Sequence, residues 1–227
     1  MKNRLPHNER FGSGSQNPAL NPHVFLTVDA HAASSFFEKH SEFIGNIANV
    51  STGEEAVAFI NEVRTKHPKA AHNVYAYIVR NDNISRHSDD GEPSGTAGLP
   101  VLETLKKKGL QDVCLVVTRY FGGVLLGTGG LARAYSKSAL LTVEAAEIVS
   151  VARCLTYKVT ADYALHSRIM SVFPRHGAKV LDTQYSGNVV VKFLVLEEYS
   201  KEFTLLLTDI TSGNAVIEKS EAEYVKF

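Results

Sequence analysis

Two cysteines in 227 residues leave nothing for a disulfide framework. Cys114 and Cys154 both sit in apolar, strand-like runs, where a thiol acts as a small buried hydrophobe. Neither has a partner at zinc-ligand spacing. Net charge is missing too. Lysine plus arginine and aspartate plus glutamate number 24 each, with 15 of each sign in residues 1–150 and 9 of each in 151–227. Neither half is a basic module, so long-range attraction does not drive tight nucleic-acid binding and only local basic patches remain available. No apolar run nears the ~18–20 residues that span a bilayer. No apolar stretch follows the first basic residues, as a secretory signal requires. These absences point to the cytoplasm and away from a membrane partner.

What is present suffices for packed cores: hydrophobic residues make up 44% of the chain, and its length suits two domains of roughly 100–150 residues. Residues 1–23, rich in Asn, Pro, Gly and Ser, read as a flexible extension. A first domain is expected over 24–150 and a second over 151–227. The second is the more regular. Leu155, Tyr157, Val159, Ala161 and Tyr163 alternate with polar residues as in a half-buried strand. Leu165, Ile169, Val172 and Phe173 recur at helical spacing, with Pro174 and Gly177 as the stop. Strands over 179–185 and 189–196 follow across Ser186-Gly187-Asn188. A helix carrying Tyr199, Phe203, Leu206 and Ile210 closes at Gly213, and a last strand covers 215–223. The order β-α-β-β-α-β is the ferredoxin-like arrangement, and the chain as a whole is of the α+β class.

In the first domain strands are expected over 24–30 and 42–50. A helix over 53–67 follows, with Thr52 as N-cap. A hairpin joins 73–80 to 84–87, a loop spans 88–98, and a short helix covers 99–108, where Lys106, Lys107 and Lys108 suit the helix dipole. A buried strand over 112–120 precedes a glycine-rich loop and a long helix over 128–149.

Two loops carry the functional interest. The first holds Asp89, Asp90, Gly91 and Glu92; the second runs from Arg119 and Tyr120 through Gly122, Gly123, Gly127, Thr128, Gly129 and Gly130. Five of the sixteen glycines fall in the second, and ordering them costs entropy that needs a reason. Gly122 and Gly127 have Walker A spacing, but Thr128 and Gly129 replace the Lys-Ser/Thr pair. Gly127-x-Gly129-x-x-Ala132 follows a strand as a dinucleotide fingerprint does, yet Glu144 and Glu147 lie on the same helix instead of ending a second strand. The stretch also resembles, faintly, the phosphate loop of galactokinase-type kinases. Free helix N–H groups near Thr128, with Arg119 or Arg133 close by, are able to hold an anion; the alternative is a tight strand-to-helix turn. Arg119 is expected to be removable without loss of the fold, whereas Gly129→Val is expected to cost stability as well as binding. Asp89, Asp90 and Glu92 do not follow an EF-hand pattern; two or three such carboxylates are able to hold a magnesium ion loosely, and the favoured reading is a solvated turn with Asp90-Gly91 at positive φ. His72 and His87 lack a third metal ligand. No nucleophile elbow or acid–base pair stands at usable spacing, so no turnover, cofactor or metal is expected.

Ser88-Asp89-Asp90-Gly91-Glu92-Pro93-Ser94-Gly95-Thr96-Ala97-Gly98-Leu99-Pro100 together with Arg119-Tyr120-Phe121-Gly122-Gly123-Val124-Leu125-Leu126-Gly127-Thr128-Gly129-Gly130-Leu131 resembles the signature of the IMPACT/YigZ family, most strongly over residues 24–150. The tail resembles the second domain of bacterial members by topology. The resemblance implies a first domain with the fold of elongation factor G domain IV and a second similar to that factor's domain V. Eukaryotic members restrain a starvation kinase that acts on a translation initiation factor, and they carry an extra recognition domain for which no room is expected before residue 24. Bacterial members are linked to translation or nucleic acid. The implied role is a non-enzymatic, translation-associated regulator that binds ribosome, RNA or a translation-regulating protein. Its implied surface comprises Asp89, Asp90, Gly91, Glu92, Arg119, Tyr120, Gly122, Gly123, Gly127, Gly129 and Gly130. Thr128, Arg133 and Lys137 join it as local donors. The alternative is a binder or enzyme of a small phosphorylated ligand that uses the glycine loop as an anion cradle.

Overall fold

The strand Val113–Tyr120 (β6) is apolar on successive residues from Val113 to Val117, the mark of a strand covered on both faces. It lies at the centre of a five-stranded antiparallel sheet. In this computed structural model, which describes residues 24–81, 83–172 and 178–227, the sheet order is β2-β3-β6-β4-β5. The other strands are β2 (Ala32–Glu38), β3 (Ser41–Asn49), β4 (His72–Val79) and β5 (Ile84–Ser88). Helix α1 (Gly53–Lys66) seals one face with Ala56, Ile60 and Val63 against Tyr77, Cys114 and Val116. Thr52 caps it, its hydroxyl accepting from the Glu55 N–H at 3.1 Å. Helices α2 (Gly98–Lys107) and α3 (Thr128–Ala145) cover the other face, where Leu131, Tyr135 and Ala139 meet Phe43, Ile47 and Leu115.

The second sheet is also antiparallel and six-stranded. Its spine is β7 (Ile148–Ala161). Strands β9 (Val189–Leu196) and then β8 (Lys179–Tyr185) lie along one edge of it, and β10 (Val216–Lys219) and β11 (Glu223–Lys226) along the other. Helices α4 (Tyr163–Val172) and α5 (Ser200–Ile210) pack on it through Ile169, Val172, Phe203 and Leu207. The chain is thus mixed α+β, with two antiparallel sheets and five α-helices among the described residues.

Three features differ from the sequence expectation. Strand β2 was not expected, because Ala32–Glu38 has few strongly apolar residues; its pairing with β3 and cover by α3 supply what periodicity lacks. The long helix stops at Ala145, not 149. Ile148, Val149 and Val151 are β-branched and pair instead with β1 (Val24–Val28), in register from Val28↔Ile148 to Val24↔Ala152. The last strand is broken into β10 and β11 by residues 220–222. The expected extension at 1–23 and the helix stop at Phe173, Pro174 and Gly177 lie outside the described residues.

Strand β1 ties the two sheets together. The Thr27 hydroxyl donates to the Asp112 carbonyl at 3.0 Å. Arg80 inserts between Phe25 and Tyr224, its guanidinium 4.4 Å and 4.1 Å from the ring centroids. Such stacking holds cation and rings together on top of their buried area.

Candidate functional site

Arg119, next to last in β6, lies on the face that carries α3, and it is 4% exposed. A charge that deep needs a partner. Its Nη1 donates to Glu92 Oε1 at 2.7 Å, and the Tyr135 hydroxyl of α3 donates to the same oxygen at 2.7 Å. Nη2 donates to the Ser41 hydroxyl at 3.3 Å, while Nε is buried without a described partner. Burial first, then the neighbouring Glu92 charge, pushes the Tyr135 hydroxyl far above its ordinary range, so it stays a donor.

The acidic loop is therefore not a solvated turn. Asp90 and Gly91 do take positive φ, 45° and 89°. But each carboxylate is spent inside the protein. Asp89 accepts from the N–H groups of Gly95, Ala97 and Gly98 at 2.9, 3.0 and 2.8 Å, supplying α2 with the cap that Ala97 cannot. Burial pushes the Asp89 carboxyl up, and those three donors outweigh it and hold the group below its ordinary value. Asp90 takes Arg64 and the Asn73 N–H, both at 2.6 Å. Its carbonyl accepts from His72 Nδ1 at 2.8 Å, and Gly91 lies against that imidazole. Among the described residues no group of three or more His, Cys, Asp and Glu is placed to hold a metal ion.

The glycine loop is braced by a hairpin that the sequence reading missed. At the β2–β3 turn Lys39 and His40 both have positive φ, 45° and 66°. The backbone of His40 presses so closely on Gly122 that a Cβ there would lie 2.0 Å from it. The Gly122 N–H donates to Ser41 at 3.2 Å, beside the Arg119 contact. Gly123 takes φ 83° in open space. Gly127 then stands before α3 at φ 71°, ψ 164°, a region that only glycine occupies readily. No side chain caps α3; its first ring closes from the Leu131 N–H to the Gly127 carbonyl at 2.9 Å. The N–H groups of Thr128, Gly129 and Gly130 are left at the helix start, where the dipole is positive.

Two concavities flank Leu126. One, of about 450 Å³, is lined by His72, Glu92, Pro93, Arg119, Phe121, Leu125, Gly127, Thr128 and Leu131, among others. The other, of about 260 Å³, is lined by Glu38, Lys39, Gly130, Arg133, Ala134 and Lys137. Between and above them the loop holds apolar residues out in solvent: Phe121 is 50% exposed, Val124 41% and Leu125 83%. Glu92, Arg119, Gly127, Thr128, Gly130, Arg133 and Lys137 are thus brought around one helix start, with Gly129 exposed beside them. Tyr120 points to the opposite sheet face, 3.0 Å from His67 Nδ1, and Asp89 and Asp90 serve α2 and α1. Phe121, Val124, Leu125 and Lys39 were not singled out in the sequence. Apolar residues interleaved with glycines were the available signal for the first three; none marked Lys39.

The profile of the Impact N-terminal domain matches residues 39–143, and that of a domain of unknown function, DUF1949, matches 159–214. The IMPACT family member YvyE of Bacillus subtilis (strain 168) is 38% identical over 205 residues, covering 90% of this chain and 94% of that protein. Escherichia coli (strain K12) YigZ, another IMPACT family member, is 32% identical over 179 residues, 78% of this chain and 88% of the relative. A Dictyostelium discoideum protein called an IMPACT homolog is 36% identical over 102 residues, 43% of this chain and 29% of its own length. A crystal structure described as that of a hypothetical protein superposes with a TM-score of 0.58 at 30% identity, over 86% of this chain and 96% of its own. The chain belongs to the IMPACT family.

Proposed function

We propose that the chain acts in translation as a non-enzymatic regulator, in the cytoplasm, by docking its two-loop face on the ribosome, RNA or a translation-regulating protein. In this reading the first unit, residues 24–150, shares the fold of elongation factor G domain IV, and the second, 151–227, is ferredoxin-like. One observation carries it: the loop over α3 exposes Phe121, Val124 and Leu125 above a concavity whose ionisable lining residues are engaged with one another. Exposed apolar residues clustered on an ordered loop mark an interaction surface. Glu92 and Arg119, tied together and to Tyr135, supply a scaffold in place of an acid–base pair. No described helix is long and apolar enough to cross a membrane. The test is sedimentation of ribosomes from a cell extract with the parent protein and with Leu125→Asp. Co-sedimentation of the parent, lost in the variant, supports the reading; identical behaviour of the two overturns it.

A second reading, capture of a small phosphorylated ligand, is favoured by one specific feature. The uncapped start of α3 and Arg119, whose buried Nε has no described partner, line the same 450 Å³ concavity, within the size range of small-molecule sites. Thermal stabilisation by a nucleotide or sugar phosphate, absent in Gly129→Val, would favour it over docking.

A further inference from the structure

We propose that this face is a site for unpaired RNA, in which Lys39, Arg133 and Lys137 hold the phosphodiester backbone and the ring of Phe121 stacks a base. The proposal rests on the docking reading above and narrows its partner.

Several cations of this protein are answered by carboxylates: Arg64 by Asp90, Arg80 by Asp112, Arg119 by Glu92, Arg153 by Glu197 and Lys158 by Glu218. Lys39, Arg133 and Lys137 are not. They converge on one concavity from two elements, the β2–β3 turn and α3. No carboxylate of the described residues lies within ion-pair distance of them. Glu38 borders the same concavity, which leaves the positive charge in excess. The Lys137 ammonium rests 4.5 Å over the Phe36 ring, a contact that places the charge without neutralising it. The exposed N–H groups at the start of α3 add to the same sign.

The shape selects a polymer. Arg133 and Lys137 stand one turn apart on α3, about 6 Å along its axis, and Lys39 extends the row from the neighbouring hairpin. At about 260 Å³ the concavity is smaller than the roughly 300–1,000 Å³ that engulf a small ligand. A charged chain lying across it uses all three cations; a single small anion does not.

Phe121 selects the unpaired form. The Arg119 guanidinium, fixed by Glu92, sits 5.4 Å from its ring centroid, and Phe121 as a residue remains half exposed. A backed and half-exposed ring is a platform for a base, and a duplex keeps its bases stacked on one another. Arg119 is then a positioning residue: it holds the ring and does not touch phosphate.

The experiment measures binding of the full chain to a fluorescent single-stranded RNA oligonucleotide by anisotropy across a salt series. The matched duplex and inorganic phosphate serve as competitors. Arg133→Ala and Lys137→Ala are exposed changes that leave the circular dichroism spectrum unaltered, and each should reduce the log–log salt slope by about 0.7. Phe121→Ala should weaken binding roughly 5- to 100-fold with the slope unchanged, and Phe121→Tyr should restore it. The single strand should bind more tightly than the duplex. A parent protein that sediments with ribosomes but ignores RNA puts the partner on protein, sinking this proposal while sparing the docking reading. RNA binding untouched by all three alanine changes places it elsewhere and also sinks it. So does inorganic phosphate that displaces the oligonucleotide as effectively as RNA does, since that makes the site one for a small anion.

Discussion

Beneath the second sheet the core is closed by rings. Tyr157 and Phe193 stack at 5.4 Å, Phe203 meets both edge-on at 5.7 and 5.1 Å, and the Tyr157 hydroxyl lies 2.8–2.9 Å from oxygens of Ser200 and Thr204. No charged residue among the described ones is buried there. Beneath the first sheet, behind α3, sit Glu92 and Arg119, 8% and 4% exposed. The comparison separates two jobs. Rings suffice to hold helices on a sheet, so a buried ion pair, whose desolvation offsets most of its attraction, is kept for something packing alone does not do. Here it fixes the acidic loop, the end of β6, the β2–β3 hairpin and α3 at one point. That point underlies the exposed loop.

The largest expected effect breaks the comparison at this pair. Arg119→Ala leaves Glu92 buried with the Tyr135 hydroxyl and, at 3.8 Å, His72 Nε2, and should cost about 3–5 kcal/mol of stability, measured by urea unfolding. From the sequence alone this change was expected to weaken anion binding and leave the fold intact; the depth of Arg119, 4% exposed, argues for a cost to the fold as well. Arg119→Met combined with Glu92→Leu should recover much of the loss, because no lone charge remains. If the single change is as mild as a surface substitution, the pair is not the keystone argued for. In the second sheet the matching polar deletion, Tyr157→Phe, should cost only about 1 kcal/mol, since the hydroxyls of Ser200 and Thr204 each donate to backbone carbonyls or can turn to do so.

A smaller effect separates the two units by pH. The Asp89 carboxyl is held below its ordinary value, so it binds fewer protons folded than unfolded. Its contribution is fully present above the ordinary carboxylate pKa of about 4 and is lost as pH falls through the lowered folded value. Asp89→Asn should flatten the acid side of the stability curve and loosen the start of α2, seen as faster amide exchange at Ala97 and Gly98. Exchange in α5 should not change. The thiols should be equally silent in both units: burial pushes Cys114 up to about 12 and Cys154 to about 11, so neither should react with a thiol reagent until the protein unfolds.

Local pattern made much of the fold legible. The apolar run of β6, the Thr52 cap of α1 and the strand-helix order after residue 151 all rest on residues near one another in sequence. What escaped depends on distant partners. Strand β2 exists because β3 and α3 lie beside it. The Lys39-His40 turn has none of the Asn-Gly chemistry that announces a hairpin. The boundary near residue 146 was blurred because helix and strand both accept the apolar residues there, and β1 decides between them. The site was half legible: glycine density marked the loop. That Glu92 and Arg119 neutralise each other, and that Lys39 joins Arg133 and Lys137, follows only from the folding of 38–41 against 119–137.

The smallest effect tests why the loop keeps its glycines. Gly122 and Gly127 are required by the fold, one by contact with His40 and the other by its backbone angles. Gly129 is not. It has helical geometry, and a Cβ there would meet only the flexible end of Arg133 at 3.5 Å. Alanine is the better helix former, so Gly129→Ala should raise stability by a few tenths up to about 1 kcal/mol. Gly127→Ala should lower it by about 1–3 kcal/mol. If the bare backbone at Gly129 exists so that a partner can approach the helix start, the stabilised variant should bind that partner more weakly than the parent. The same substitution then moves stability and binding in opposite directions. Stability and binding rising together would show that the glycine serves neither the fold nor the face, and would shift the docking surface toward Phe121 and Leu125 alone.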